Sequence, residues 1–237
     1  MPCLLHIETS TTVCSLALSM KGEVVFEKVS FDGPSHAALL GVYVEEALAV
    51  LKREGLRPEA VAVSSGPGSY TGLRIGVSMA KGLCFGYDIP LISVPTLEIL
   101  AAKAIRQRAG AEDDLYCAML DARRMEVYAA LFDGKRQIVR PTMADIVTAD
   151  TYASFLDRHR VYFLGNGAAK CKEVIVSPRA VFVEDVHPLA ADMVAIAEDL
   201  FRSGAFEDRA YFEPFYLKEF IATTPKNKVL THNTNPV

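Results

Sequence analysis

The sequence predicts an α/β protein made of two copies of one mixed-sheet unit. Three observations lead there. Short apolar runs alternate with longer helical patterns, the order βββαβαβα is read twice along the chain, and local cues recur at matching places in the two halves. Glu8 and Asp121 each end a first strand, Lys21-Gly22 and Asp133-Gly134 each sit at a hairpin turn, and Val94-Pro95 parallels Val186-His187-Pro188.

In the first half, LLHI is a short strand, VCSLALS alternates as a second, and EVVFEK follows the Lys21-Gly22 turn as a third, which gives an antiparallel meander. Ser35 is a candidate N-cap for a helix through Arg53. VAVSS then reads as a buried strand, 71–85 as a helix, PLISV as a strand and 96–108 as a closing helix. In the second half LYCAMLD, EVYAALF and RQIV are strands, followed by a helix over 152–158, strand VYFLG, a helix over 169–174, strand AVFVEDV and a helix over 189–202. Two subdomains are expected, 1–108 and 109–222. The tail 223–237 is polar and Asn-rich without apolar periodicity, and is expected to be disordered.

Composition narrows the function classes. The chain has 237 residues, 51% apolar and 23% charged, which suits a well-cored soluble protein. Its net charge of -4 gives no general attraction to a phosphate backbone, so a nucleic-acid role would draw much of its positive surface from another chain. Five dispersed cysteines, Cys3, Cys14, Cys84, Cys117 and Cys171, form no CxxC pair, most sit in apolar runs, and they read as reduced core thiols of a cytosolic protein. The start MPCLLHIETS lacks the basic and long apolar regions of a signal peptide, and no apolar run reaches the roughly 20 residues of a membrane span, so no membrane role is expected.

The glycine-rich stretch GPGSYTGLRIG, residues 66–76, lies between a strand and a helix, where such loops often hold phosphate. After Gly72 come Leu73 and Arg74 rather than the Lys and Ser or Thr of a Walker A loop, and Gly66, Gly68 and Gly72 miss the dinucleotide spacing. Gly72, Gly76 and Ala80 instead recur every four residues on one helical face, with Ser69 and Cys84 extending the line. Each helical glycine costs about 1 kcal/mol relative to alanine, so an offsetting close approach is expected. Spacing does not say whether the approaching element belongs to this chain or to a partner. In the preceding helix, Leu39, Leu40, Tyr43, Val44, Ala47, Leu48, Val50 and Leu51 cover roughly 180° against the ~100° that one core needs, which fits either a helix enclosed by its own fold or one that also meets a partner.

Catalytic constellations are not evident. His6, His36, His159, His187 and His232 are scattered with no His or Cys partner at i+3 or i+4, so no metal is expected. Glu8, in HIETSTT, is either a water-activating carboxylate or an acceptor for the Thr9 to Thr12 turn. Asp121-Ala122-Arg123-Arg124 reads as a solvated or internally paired turn. Ser10, Ser69 and Thr71 lack a companion histidine motif and a Gly-x-Ser-x-Gly elbow.

HIETSTTVCSLAL, SHAALLGVYVEEAL, VAVSSGPGSYTGLRIGVSMAKGL and LDARRMEVYAALF together resemble the bacterial TsaB (YeaZ) family over at least residues 4–135, with weaker echoes in FLGNGAAK and EPFYLK. The resemblance implies an actin-like ATPase (ASKHA) fold of two RNase H-like βββαβαβα subdomains. It also implies a role as the non-catalytic companion of TsaD. With the ATPase TsaE, that assembly transfers a threonylcarbamoyl group from threonylcarbamoyl-AMP to N6 of adenosine 37 in tRNAs reading ANN codons. A homodimer through the same surface is implied for the chain alone, and tRNA is met through the complex.

The implied partner surface lies on the first two helices, with Leu39, Tyr43 and Val50 as apolar contacts, Gly72 and Gly76 allowing close approach, Arg74 as a polar contact, and Ser69, Tyr70 and Ala80 also within it. On that reading, enlarging Gly76 breaks pairing without unfolding the chain. TsaD-like proteins carry a His-x-x-x-His metal pair, whereas here His36 is followed by Leu40, which cannot coordinate. Glu8, Thr9 and Ser10 are the cleft candidates, but the run lacks the glycine for close phosphate approach. No cofactor is therefore required by this chain, with room left for ATP or ADP at the cleft or at a subunit junction. The rival readings are an actin-fold ATPase and a metal-dependent glycoprotease-like enzyme.

Overall fold

The computed structural model describes residues 2–33, 35–107 and 113–217; the expected tail 223–237 lies outside them. The alternating runs form the meander β1 (Cys3–Glu8), β2 (Cys14–Met20) and β3 (Glu23–Ser30), with Cys3 opposite Met20 and Glu8 opposite Ser15. Then follow α1 (His36–Arg53), β4 (Ala60–Gly66), α2 (Tyr70–Tyr87), β5 (Leu91–Pro95) and α3 (Thr96–Gln107). The sheet order is β3-β2-β1-β4-β5, and β4 runs parallel to both β1 and β5.

The second half repeats this plan with β6 (Leu115–Asp121), β7 (Glu126–Phe132), β8 (Ile138–Ile146), α4 (Ala153–Leu156), β9 (Val161–Leu164), β10 (Ala180–Val183) and α5 (Val194–Ser203). Its order β10-β9-β6-β7-β8 is the first sheet's order read from the other edge. This duplication is the actin-like ATPase fold. The expected helix over 169–174 is only a 3-10 turn, Ala169–Cys171. Within that stretch Cys171 alone is fully buried, too little apolar anchoring to hold longer helix.

Each sheet face has its own core, as strand alternation requires. Leu5, Ile7, Val61 and Val63 face α1 and α2, meeting Leu40, Val44, Leu51 and Val77. Leu4, Ala60, Ala62, Ile92 and Val94 point the other way and are covered by Ile99 of α3 and by Met193, Ile196 and Ala197. The last helix of the second half thus closes the first sheet. α3 in turn presents Leu97, Leu100, Ala101 and Ala104 to Tyr116, Ala118 and Leu120 of the second sheet. The division expected near residue 108 therefore marks the repeat, while packing crosses it in both directions. Buried Asp192 fastens the crossing, lying 2.5 Å from Arg106 and 3.4 Å from Lys103 of α3.

Beyond α5 the chain crosses back over the first half as a strap. Glu207 N donates to Leu91 O (2.9 Å), Arg209 Nη1 to Cys84 O (3.1 Å), Lys81 Nζ to Ala210 O (3.0 Å) and Phe215 N to Ser65 O (2.7 Å). All five cysteines are buried free thiols. Among the described residues no helix is long and apolar enough to cross a membrane.

Candidate functional site

Strand β1 delivers Glu8, Thr9 and Ser10 to the place where the strand order reverses between β1 and β4, the position at which α/β sheets commonly bind ligands. Here that position is filled by the chain itself. Ser69 N donates to Ser10 O (2.6 Å), Thr9 Oγ1 donates to Gly72 O (2.8 Å), and His36 Nε2 lies 2.8 Å from Thr11 O. A Cβ built on Gly68 or Gly72 would stand less than 3.0 Å from the carbonyl oxygen of Ser10 or Thr9, and one on Gly76 less than 3.0 Å from Thr9 Oγ1. The glycines of the 66–76 loop thus admit the β1–β2 turn.

Three predicted interface residues are corrected by this packing. Gly72, Gly76 and Ala80 are buried against this chain, so their face is closed to any partner. The spacing pointed to a tight approach and the family resemblance attached it to a second protein, whereas the approaching element is the first strand and its turn. Ser69 is exposed and caps α2, its Oγ accepting from Gly72 N (3.2 Å). Arg74 lies over the Tyr70 ring (4.2 Å) and donates from Nε to Tyr216 OH (3.3 Å), so strap and helix start are joined by a Tyr70–Arg74–Tyr216 cluster.

Glu8 is fully buried, and its Oε1 accepts from Ser10 N at 2.5 Å. Burial lifts its carboxyl to about 7, opposed by Ser10 and Ser64 and assisted by the Asp192 charge. Sealed from solvent, Glu8 acts as the acceptor that holds the Thr9–Ser10 turn. The nucleotide implied by the wider fold does not fit at this loop. The glycine faces that would approach phosphate are occupied by Thr9 and Ser10, and Ser69 N and Gly72 N already donate within the chain. His36 is engaged with Thr11, Leu40 is core, and no group of three His, Cys, Asp or Glu among the described residues could hold a metal.

The open surface lies on the far side of α1 and α2. Leu39, Tyr43 and Val50 of α1, with Ile75, Met79, Leu83 and Tyr87 of α2, are half-buried over the same core. Around them Val42 is 48% exposed, Phe85 85%, and Tyr211 of the strap 85%. A Cβ on Gly41, Gly82 or Gly86 would meet nothing within 4 Å. These three helical glycines have no partner surface in their own chain, unlike Gly72 and Gly76. The i, i+4 spacing of Gly82 and Gly86 in AKGLCFGY was readable in the sequence, but inward and outward stripes look alike until the helix is docked.

Fold and site define an actin-like ATPase-fold protein whose glycine loop is packed by its own first strand and turn and whose first two helices keep an apolar outer face. A family model described as TsaD, tRNA N6-adenosine threonylcarbamoyltransferase, matches residues 30–226. The tRNA threonylcarbamoyladenosine biosynthesis protein TsaB of Bacillus subtilis is 31% identical over 73% of this chain and 74% of its own length. The Escherichia coli protein of the same name is 27% identical over 92% and 96%. Two Pseudomonas aeruginosa structures are also similar, each covering 92% of this chain and 100% of the other. One, described as YeaZ, has a TM-score of 0.76 at 27% identity; the other, described as similar to peptidase YeaZ, has 0.79 at 26%. The chain belongs to the TsaB (YeaZ) family of tRNA threonylcarbamoyladenosine biosynthesis proteins.

Proposed function

We propose that this chain is the non-catalytic companion of a TsaD-type transferase that forms N6-threonylcarbamoyladenosine on tRNAs reading ANN codons, and that it docks through the outer face of α1 and α2. A TsaE-type ATPase completes the assembly, and the same face pairs two copies when the transferase is absent. The chain works in the cytoplasm and requires no cofactor of its own; ATP or ADP is met at the subunit junction. The observation that carries this reading is the contrast between the two surfaces. The fold's ligand position is packed with Thr9 and Ser10, while Gly82 and Gly86 leave open space beside exposed Phe85 of α2 and Gly41 leaves open space on α1.

Gly82→Arg with Phe85→Asp is expected to weaken co-purification with the organism's TsaD-type protein at least tenfold, since both changes strike a desolvated interface centre. The melting temperature should move by no more than about 2 °C, because neither side chain enters the core. A tRNA modification assay with the transferase should lose the stimulation given by the wild-type chain. Unchanged pairing refutes the docking face, and steady phosphate release by the purified chain that disappears with Glu8→Ala refutes the non-catalytic role.

A further inference from the structure

The turn between β6 and β7 is the second half's counterpart of the loop that fills the first-half cleft. In the first half, α1 and α2 bury that loop. In the second, α4 and the 3-10 turn Ala169–Cys171 are too short to cover it, and Arg123 and Arg124 stand exposed.

The backbone of this turn is nonetheless held at several points. Asp121 N donates to Asn166 Oδ1 (2.9 Å), Arg123 N to Asp121 Oδ1 (3.0 Å), and Glu126 N to Arg123 O (3.1 Å). Lys170 Nζ donates to Arg124 O (2.7 Å) and Glu126 O (2.6 Å) and pairs with the Asp121 carboxylate. The internal pairing expected for Asp121 is thus made with Lys170, and neither guanidinium has an ion pair or hydrogen bond among the described residues.

Both arginines adopt left-handed backbone, φ 70° and 46°. Consecutive left-handed positions favour Asn-Gly, and any residue with a large side chain strains them. An exposed turn that keeps two strained arginines, unpaired and anchored by three other side chains, is organised to present charge outward.

We infer that Arg123 and Arg124 are a phosphate-contacting site for the RNA substrate. The inference rests on the proposed function. The planar guanidinium fork suits phosphate oxygens. A polyanion suits a convex turn better than a small ligand does, because its affinity comes from counterion release and not from enclosure. In a chain of net charge -4, such contacts have to be local.

The test compares the full chain with Arg123→Asn/Arg124→Gly and with the charge-matched control Lys135→Gln/Arg158→Gln, each alone and with the TsaD-type partner. Fluorescence anisotropy follows a labelled tRNA reading an ANN codon across a salt series. The arginine variant is expected to melt about 2–4 °C higher as the strain is relieved. It should also bind RNA at least tenfold more weakly than the control does, with a log–log salt slope shallower by about one to two. Equal losses in both variants, no RNA binding by the wild type, or a melting temperature that falls with RNA affinity would each overturn the inference. Partner co-purification is measured on the same samples. Pairing retained with RNA binding unchanged defeats this inference alone, whereas a wild-type chain that fails to pair defeats the reading on which it rests.

Discussion

Gly72→Ala is expected to destabilise the fold by about 3 kcal/mol, read as a lower urea midpoint with an unchanged slope. The new methyl would enter the space of the Thr9 carbonyl oxygen, a main-chain atom that cannot swing away, and would disturb the bond from Thr9 Oγ1 to Gly72 O. The gain in helix propensity offsets only about 1 kcal/mol. Gly76→Ala meets Thr9 Oγ1, a side-chain atom, with Ile7 Cγ2 next at 3.5 Å. Its penalty should therefore shrink in a Thr9→Ala background, whereas that of Gly72→Ala should not. This reverses the expectation that Gly76 can be enlarged without unfolding. A Gly72→Ala chain that folds normally but fails to pair would restore the partner reading of the ridge.

Glu8→Gln is expected to stabilise the chain above neutral pH by an amount on the order of 3 kcal/mol, with almost no effect near pH 4.5. In the folded state desolvation raises the Glu8 carboxyl from 4.5 to about 7, so between those values the native chain binds a proton that the unfolded chain has released. Stability from this group falls as pH rises through that window and is level above it. His6 acts in the opposite sense. Burial lowers it from 6.5 to about 3, so its contribution is complete above 6.5 and is lost as pH falls. The two partly cancel in the wild type, and only the difference between wild type and Glu8→Gln isolates Glu8. Melting temperatures from pH 5 to 8.5 give that difference. A difference that does not grow with pH would show that Glu8 is ionised in the fold.

The meander, the repeat and the buried cysteines were legible because alternation and turn residues act locally. VCSLALS alternates as a strand does, although the fold buries both of its faces, and Lys21-Gly22 accommodates positive φ at both positions. The exchange of α3 and α5 between sheets was not legible. The apolar side of α5, with Val194, Ile196 and Ala197, states that a face is buried but not against which sheet. The site failed to be read for the same reason. Gly72 and Gly76 announced a close neighbour, yet only the docked helix shows that it is Thr9. Arg123 and Arg124 were visible as a doublet, while their left-handed backbone and the diversion of Asp121 to Lys170 required the fold.

The strap and α5 also set a timetable for biosynthesis. Met193, Ile196 and Ala197 complete the core beneath Leu4 and Ala62, and Phe215 bonds to the end of β4. The earliest-made sheet therefore waits, one face covered only in part by Ile99, until α5 and the strap have left the ribosome. Nascent chains halted before residue 193 should be prey for chaperones and proteases, so quality control has a built-in way to recognise copies whose first sheet is still open.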